Sequence, residues 1–354
     1  MRRNVARWFA AEQPVDALVI DDTGFGKDGT ASPCVARQYS GTLGKTANCQ
    51  IGVSAHLVNE HASCAADWRL YCPGSWDDAA LADPVAAAGA RRRRQRAGIP
   101  DDVRHREKWR LALEMIDEMT GPGGWGVPGQ ITAAGHARPV AVADAGYGDN
   151  TTFRLELENR HWQYVLAVKG TTSAYAGDAR PVTRTRRGGP GRPPGPAYPG
   201  PAVNLRQLAI ASADQIRPVT WRQGTRATTG NPDALMTSHF LAIRVRPGNR
   251  DIPRAGDGSL PDCWLLAEWP PQADEPTDYW LSNLPADTPL GELVRLAKIR
   301  WRVEHDYREL KTGLGLDHFE GRSHIGWHRH VTPAVLAQAF CTQLREDPKV
   351  LAPG

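Results

Sequence analysis

Two aspartates in this sequence directly follow short apolar runs that are typical of buried strands. Residues 17–20 precede Asp21 and Asp22, and residues 139–143 precede Asp144. Carboxylates at strand ends in an α/β core lie where catalytic and binding sites are often built. Each aspartate taken alone also has a simpler interpretation, because aspartate at a strand end commonly begins a turn or caps a helix.

A third carboxylate, Glu304, lies among cations in the C-terminal part of the chain. Four charged residues are spaced three or four positions apart, so that a helix would place them on one face: Arg300, Glu304, Arg308 and Lys311. This face adjoins an apolar stripe, which puts Glu304 at the edge of the core. The residues of the stripe are Leu296, Ile299, Val303, Tyr307, Leu310 and Leu314. The alternative interpretation is a solvated ladder of arginine–glutamate pairs.

Three carboxylates of this kind have a specific chemical use when they meet. Mg²⁺ prefers hard oxygen ligands, often a few carboxylates together with water and substrate phosphate. Two such ions roughly 4 Å apart activate the attacking oxygen and stabilise the leaving oxygen in phosphodiester cleavage. Cations beside Glu304 would then contact nucleic-acid phosphates. The combination of Asp21, Asp144 and Glu304 therefore predicts a divalent-metal site for phosphodiester chemistry.

The elements that must position these residues indicate an α/β core. Between residues 139 and 168 the sequence reads as a strand, a turn, a helix over about 151–159 and a strand over 164–168, which is a β-α-β alternation. A helix over 108–119 has its apolar residues on one face. Residues 58–100 are expected to be loop-rich. Three short runs predict an antiparallel β-meander: 17–20, 35–39 and 49–55.

A stretch rich in Pro, Gly and Arg, 178–201, predicts an exposed loop. We expect a mostly β insertion over 171–286, between a first core segment, 1–170, and a closing segment, 287–345. One long helix from about 288 to 311 is expected to carry Glu304. The strand-like pieces of the insertion are 205–210, 239–245, 263–268 and 278–282.

The composition excludes several classes of protein. Of the 354 residues, 41% are hydrophobic, which is enough for a substantial core. No apolar run reaches the roughly 18 residues of a membrane span. The six cysteines form no Cys-x-x-Cys pair, and the Walker spacing of nucleotide-binding loops is absent. The net charge of +4 permits a nucleic-acid partner. These features predict a cytoplasmic protein with reduced thiols, no membrane association and no nucleotide cofactor.

Several multi-residue motifs occur in order between about residue 15 and about residue 340. They are Val19-Ile-Asp-Asp-Thr-Gly-Phe25, Val35-Ala-Arg-Gln-Tyr-Ser-Gly41, Gly44-Lys-Thr-Ala-Asn-Cys-Gln50, Val142-Ala-Asp-Ala-Gly-Tyr-Gly148, Arg300-Trp-Arg-Val-Glu304, Gly313-Leu-Gly-Leu-Asp-His-Phe-Glu-Gly-Arg-Ser323 and Gly326-Trp-His-Arg-His330. This series resembles IS701-type insertion-sequence transposases, which belong to the IS4-like group of DDE transposases.

The resemblance implies a ribonuclease-H-like core, a mixed sheet with flanking helices, interrupted by a mostly β insertion. It assigns the DDE triad to Asp21, Asp144 and Glu304, which would bind Mg²⁺ or Mn²⁺, as two ions. It also implies double-stranded DNA as the partner, both transposon ends and target, and a homodimer in the DNA complex. The implied location is the bacterial cytoplasm, at the nucleoid when DNA is bound.

The IS4-like signature Tyr-x-x-Arg-x-x-x-Glu-x-x-x-x-x-x-Lys is matched at its arginine, glutamate and lysine, whereas its tyrosine position holds Ala297. Asp22 takes the variable place before Thr23, so the motif favours Asp21, although strand phase alone leaves both aspartates open. Relatives carry a helical region before the first catalytic strand. Only about 16 residues precede that strand here, so we expect this region to be missing. The residues expected to contact DNA are Arg300, Arg302, Arg308, Lys311 and Arg322.

The predicted function is metal-dependent hydrolysis at transposon ends, followed by attack of the freed 3′-OH on target DNA. Because the N-terminal region is short, one alternative is a catalytically incompetent remnant that binds DNA or the full-length transposase. A weaker alternative is a carboxylate-based hydrolase of another polymer, such as a glycosidase, whose activity would not respond to a chelator.

Overall fold

The structure, a computed structural model, describes residues 1–127, 139–183, 195–224 and 227–346. The chain divides into two compact units, Met1–Pro139 with Ile299–Gly354, and Val140–Lys298. Both units combine strands with helices, which confirms the α/β class. No helix in the described ranges has the length and apolar character of a membrane span.

The first unit is a small antiparallel sheet with helices around it. Its strands are β1 (Ala17–Gly26), β2 (Ala36–Ser40), β3 (Lys45–Val58) and β4 (Ser63–Leu70). Its helices are α1 (Arg2–Glu12), α2 (Pro84–Ala97), α3 (Lys108–Thr120), and, from the C-terminal part of the chain, α8 (Trp301–Arg308) and α9 (His324–Glu346).

Strand β3 is the centre of this sheet. It pairs with β1 along one edge and with β2 and then β4 along the other, in each case antiparallel. The antiparallel pairing is as expected, but the meander order is wrong, because β3 lies between β1 and β2. The expectation of loops over 58–100 is also wrong, since β4 and α2 lie there.

Strand β1 extends well past the residue at which the apolar run stops. Its first residues, from Ala17 to Ile20, are completely buried, as expected for a strand that is covered on both faces. The pairing then continues residue by residue until Gly26 meets Cys49. The expected end of the strand at Asp21 is therefore wrong: the backbone of β3 supplies pairing partners for five more residues of β1, from Asp22 to Gly26.

Helix α2 carries a run of arginines, Arg91–Arg94 with Arg96, inside the range that was predicted to be loop-rich. Asp83 caps its first turn and Gly98 ends it in the left-handed conformation, at φ 61°. Arg94 is buried on this helix, 3% exposed, and donates to backbone carbonyls of the surrounding loops. The run therefore combines one structural arginine with neighbours that face solvent.

The second unit is a mixed sheet. Its strand order is β5-β6-β12-β11-β10-β7-β8, with β9 paired to β10. The strands are β5 (Val140–Ala143), β6 (Tyr164–Val168), β7 (Ser173–Ala176), β8 (Val203–Asn204), β9 (Arg217–Gln223), β10 (Leu235–Pro247), β11 (Cys263–Glu268) and β12 (Asp278–Ser282). The helices are α4 (Ala145–Gly148), α5 (Thr151–Asn159), α6 (Leu205–Ala211) and α7 (Leu290–Lys298).

The predicted β-α-β unit is confirmed, because β5 and β6 run parallel with α5 between them. One predicted strand is wrong: residues 205–210 form α6, whose first turn is closed by a capping box between Asn204 and Gln207. The expected loop over 178–201 lies partly outside the described residues. In its described part, Val182 pairs with Ala197.

The single helix expected from 288 to 311 is also wrong. Helix α7 ends at Lys298, α8 begins at Trp301, and a π-helical turn, Glu309–Gly313, follows α8. At the break, the amide of Arg302 donates to the carbonyl of Ile299, three residues back, in place of the α-helical partner four back. The sequence holds no proline or glycine at this point, so periodicity alone does not locate the break.

Candidate functional site

The site of the first unit begins at Asp21, in the middle of β1. Asp21 is 5% exposed, and a buried carboxylate requires a positive partner or several hydrogen-bond donors. One side-chain oxygen, Oδ1, accepts from the amide of Asp22 at 2.8 Å. The other, Oδ2, accepts from Nη2 of Arg300 at 3.0 Å. Its main charge partner therefore comes from the far end of the sequence.

The same guanidinium also reaches Glu304. Nη1 of Arg300 donates to Oε1 of Glu304 at 3.2 Å, one turn along α8. The Glu304 side chain is 62% exposed, whereas that of Asp21 is 7% exposed. The structure thus brings two of the three predicted metal ligands together on one arginine, with one carboxylate buried and the other open to solvent.

Asp22 has a different partner. Successive side chains of a strand point to opposite faces, and the Asp22 carboxylate receives a hydrogen bond from Nζ of Lys108, on α3, at 2.9 Å. Of the two adjacent aspartates, Asp21 is therefore the one that shares a cation with Glu304.

Asp144 belongs to the second unit, directly after β5. Its side chain accepts from the amide of Gly146 at 2.9 Å and so caps the short helix α4. The sequence allowed this capping role as the simpler interpretation. The carboxylate is half-buried. Its predicted part in the triad stays a prediction.

The residues predicted to contact DNA differ in solvent exposure and in their contacts within the protein. Arg308 and Arg322 are exposed. Arg302 lies against the ring of Trp301 and donates to the carbonyl of Glu60. Arg308 and Arg322 therefore present their charges to solvent, whereas the guanidinium of Arg302 is already engaged in contacts within the protein.

Lys311, another of the predicted DNA contacts, is half-buried. Its ammonium donates to the carbonyl of Gly24 at 2.8 Å and lies 4.9 Å from the centre of the Phe25 ring. Burial lowers the pKa of Lys311 to about 8, with the charge of Asp317 acting in the opposite direction. Lys311 is therefore a cation whose charge depends on pH close to neutrality.

A buried hydrogen-bonded cluster, here called the polar network, lies between β3, β4 and α8. Ser54 Oγ is 2.9 Å from His56 Nε2 and 2.7 Å from the Tyr307 hydroxyl. His56 Nδ1 is 2.8 Å from one carboxylate oxygen of Asp306, and Ser63 Oγ donates to the other at 2.7 Å. Burial raises the pKa of Tyr307 well above its usual value, and the charge of Asp21 adds to this effect.

Sequence reasoning did not find the polar network. It placed Tyr307 in an apolar stripe and gave Asp306 no role. One signal was present: Ser54 and His56 are polar, two positions apart, in the wholly buried run 51–58, which is otherwise apolar. Polar residues at the period of a strand, inside a core, require partners. Their partner Asp306 lies 250 residues away from His56 along the chain, which local patterns cannot reveal.

No group of three or more His, Cys, Asp or Glu side chains in the described ranges is gathered closely enough to hold a metal ion. Between Asp21 and Glu304, the positive charge is supplied by Arg300. Their carboxylate oxygens are hard donors of the kind that Mg²⁺ and Mn²⁺ prefer.

Two family models match the chain. The model described as "DDE superfamily endonuclease" matches residues 1–228, and the model described as "Transposase DDE domain" matches residues 129–337. Each match spans more than half of the 354 residues. A comparison with curated proteins gave no match. The chain belongs to the DDE superfamily of transposases and endonucleases.

Proposed function

We propose that this chain is a metal-dependent DNA transposase that cuts transposon ends and joins the freed 3′-OH to target DNA. Membership of the DDE superfamily supports nuclease chemistry on DNA. In the proposal Asp21, Asp144 and Glu304 form the triad. The subtype is IS701, and the fold around the triad is ribonuclease-H-like with an insertion over 171–286.

The observation that carries the proposal is the shared guanidinium of Arg300. A single cation bonded to both Asp21 and Glu304 stands in for the positive charge that a divalent ion would supply to the same oxygens. The donor set fits a hard cation, because both residues offer carboxylate oxygens. In the proposal, Asp144 supplies the third carboxylate. It rests on the motif Val142-Ala-Asp-Ala-Gly-Tyr-Gly148.

Two Mg²⁺ or Mn²⁺ ions at these carboxylates would activate the attacking oxygen and neutralise charge at phosphorus. Binding of the DNA would depend on basic side chains of the first unit. Exposed Arg308 and Arg322 would bind phosphates of double-stranded DNA as flexible surface cations. Lys311 would add a charge held in place by the fold, and a bound phosphate would stabilise its protonated form. With a metal bound to the carboxylates, Arg300 would be available to contact the DNA. Arg302 would contact the DNA backbone beside Arg300. We propose a homodimer in the DNA complex.

The test is cutting of a supercoiled plasmid that carries this gene with its genomic flanks. We expect nicking with Mg²⁺ or Mn²⁺, none with a chelator, and loss of at least about 100-fold in rate for Glu304→Gln. Glu156→Gln is the matched control, since Glu156 also forms an i,i+4 pair with an arginine, Arg160, on a helix surface.

Three results would count against the proposal. Normal cutting by Glu304→Gln would remove that residue from the site. Cutting that persists in chelator would indicate a metal-independent hydrolase. DNA binding without any cutting by the wild-type chain would indicate a non-catalytic DNA-binding protein.

A further inference from the structure

Helix α8 carries Glu304 and has few buried residues with which to hold its position. It is eight residues long, and its buried residues are Val303 and Asp306. A helix this short is not stable alone, so its place depends on contacts with the sheet. One of its two buried anchors is a carboxylate, 2% exposed. In addition, the Tyr307 ring packs against the rings of His56 and Trp68, with centroids 5.4 and 5.9 Å apart. The attachment of α8 therefore combines side-chain packing with a buried polar group.

The polar network satisfies every member in one arrangement of hydrogens. The Tyr307 hydroxyl donates to Ser54 Oγ, and the Ser54 hydroxyl donates to Nε2 of His56. His56 then donates from Nδ1 to Asp306, whose second oxygen accepts from Ser63. A fully satisfied buried network specifies a single packing, because any displacement leaves a desolvated polar group without a partner.

The polar network also lies beside the proposed metal ligands. Ser54 is directly opposite Asp21 in the pairing of β1 with β3. On the helix, Tyr307 follows Glu304 by about one turn. The network therefore connects the strand position next to Asp21 with the helix that carries Glu304.

The order Ser54, His56, Asp306 matches the hydrogen-bond order of a serine hydrolase triad. The surroundings exclude that role. Ser54 and His56 are both 0% exposed, and a nucleophile must reach its substrate. Ser54 Oγ is in addition bonded to the Tyr307 hydroxyl. The cluster cannot present a serine oxygen to any substrate.

We propose that Ser54, His56, Asp306 and Tyr307 are positioning residues of the nuclease site. They fix α8 on β3 so that Glu304 and Arg300 face Asp21. This inference rests on the function proposed above for those carboxylates. It assigns a purpose to buried polar groups in a place where apolar packing would cost less.

The test compares two tyrosine variants in the full chain. Tyr307→Phe removes one hydroxyl from the network. Tyr279→Phe removes a hydroxyl that donates to the carbonyl of Pro276, in the second unit. For Tyr307→Phe we expect amide hydrogen exchange in 301–308 to accelerate about fivefold or more. We expect its nicking rate at saturating plasmid to fall about tenfold, with KM for DNA unchanged within about twofold. Tyr279→Phe should change none of these.

A second pair of variants asks whether the hydrogen bonds, and not merely the packing, are responsible. An asparagine at 306 can accept from His56 and donate to Ser63, whereas alanine can do neither. We expect Asp306→Asn to keep at least about half of the nicking rate and Asp306→Ala to lose about tenfold or more. Should Asp306→Ala not fold, Tyr307→Phe still decides.

Wild-type exchange and wild-type nicking in Tyr307→Phe would overturn the inference. So would an Asp306→Asn chain as impaired as a folded Asp306→Ala chain. The exchange measurement needs no metal and no DNA, so it separates the two proposals. If Tyr307→Phe loosens α8 while Glu304→Gln still cuts normally, the proposed function fails and the role of the network in holding α8 stands.

Discussion

Replacing Arg300 by alanine should make the metal-free chain bind Mn²⁺ more tightly. In the structure one guanidinium is bonded to both Asp21 and Glu304, at 3.0 and 3.2 Å. A divalent ion that takes the same oxygens must first displace this cation. Removing it leaves two carboxylates without that competitor, so the expected direction is a lower Kd for the metal. Arg300→Ala should therefore bind Mn²⁺ more tightly, whereas the same substitution should slow DNA cutting.

The magnitude follows from the exposure of the two contacts. A unit charge pair at about 4 Å is worth about 1 kcal/mol in bulk water and about 4 kcal/mol at an effective dielectric constant of 20. The Asp21 side chain is 7% exposed and the Glu304 side chain is 62% exposed, so the contacts lie between those limits. After allowance for solvent screening and side-chain entropy, we expect a net effect of about 1–2 kcal/mol. This corresponds to a Kd lowered by roughly 5- to 30-fold.

The assay is a titration of metal-stripped protein with Mn²⁺ in the absence of DNA, followed by the electron paramagnetic resonance signal of free Mn²⁺. Arg308→Ala is the control, because it removes the same charge from an exposed position of α8, the helix that directly follows Arg300, and its Kd should stay within about twofold of wild type. The metal-free Arg300→Ala chain should also unfold at a lower temperature, and Mn²⁺ should restore part of that loss. An Mn²⁺ affinity in Arg300→Ala that is equal to or weaker than that of Arg308→Ala would refute the reasoning.

Three further predictions concern other residues of the first unit. Because the pKa of Lys311 is lowered to about 8 and a bound phosphate would hold its proton, DNA affinity should fall as pH rises through about 8; gel-shift titrations of Lys311→Arg should lack this fall. Asp21→Asn should raise the Kd for Mn²⁺ at least about tenfold, whereas the Kd of Asp22→Asn should stay near wild type in the same titration. Equal effects of the two substitutions would contradict the assignment of Asp21, and not Asp22, to the metal site. Arg94→Met should lower the free energy of unfolding in urea by about 2–4 kcal/mol, since three backbone carbonyls lose a buried donor, while exposed Arg96→Ala should stay within about 0.5 kcal/mol.

Much of the second unit could be predicted from local patterns. The strands at 164–168, 263–268 and 278–282 and the helix at 151–159 have the expected bounds, because each is a short run with a clear period and a turn at either end. The wrong secondary-structure predictions also have local physical causes. Residues 205–210 are apolar enough for a strand, but the capping box at Asn204 starts a helix. Helix α2 is rich in arginine and alanine and shows little amphipathic pattern, so its caps were the better signal.

The candidate site, too, was predicted only in part from the sequence. The sequence by itself determined the superfamily: the order and spacing of its motifs indicate DDE enzymes, which the family models confirm. That Asp21, Asp144 and Glu304 carry the chemistry stays a prediction from the same motifs. The motif favoured Asp21 over Asp22, but strand phase did not decide between them, because the first strand is buried on both faces and apolar alternation gives no phase there. Tertiary structure separated them by pairing Asp22 with Lys108 and Asp21 with Arg300.

Only tertiary structure showed what holds the carboxylates near each other. Arg300 meets Asp21 across 279 residues, and Tyr307 meets Ser54 across 253. Such contacts depend on how β3 and α8 pack, and no local period of the chain encodes them. The apolar stripe suggested a helix held by hydrophobic contact, but the helix that carries Glu304 is also held by hydrogen bonds between groups that sequence patterns treat as unrelated.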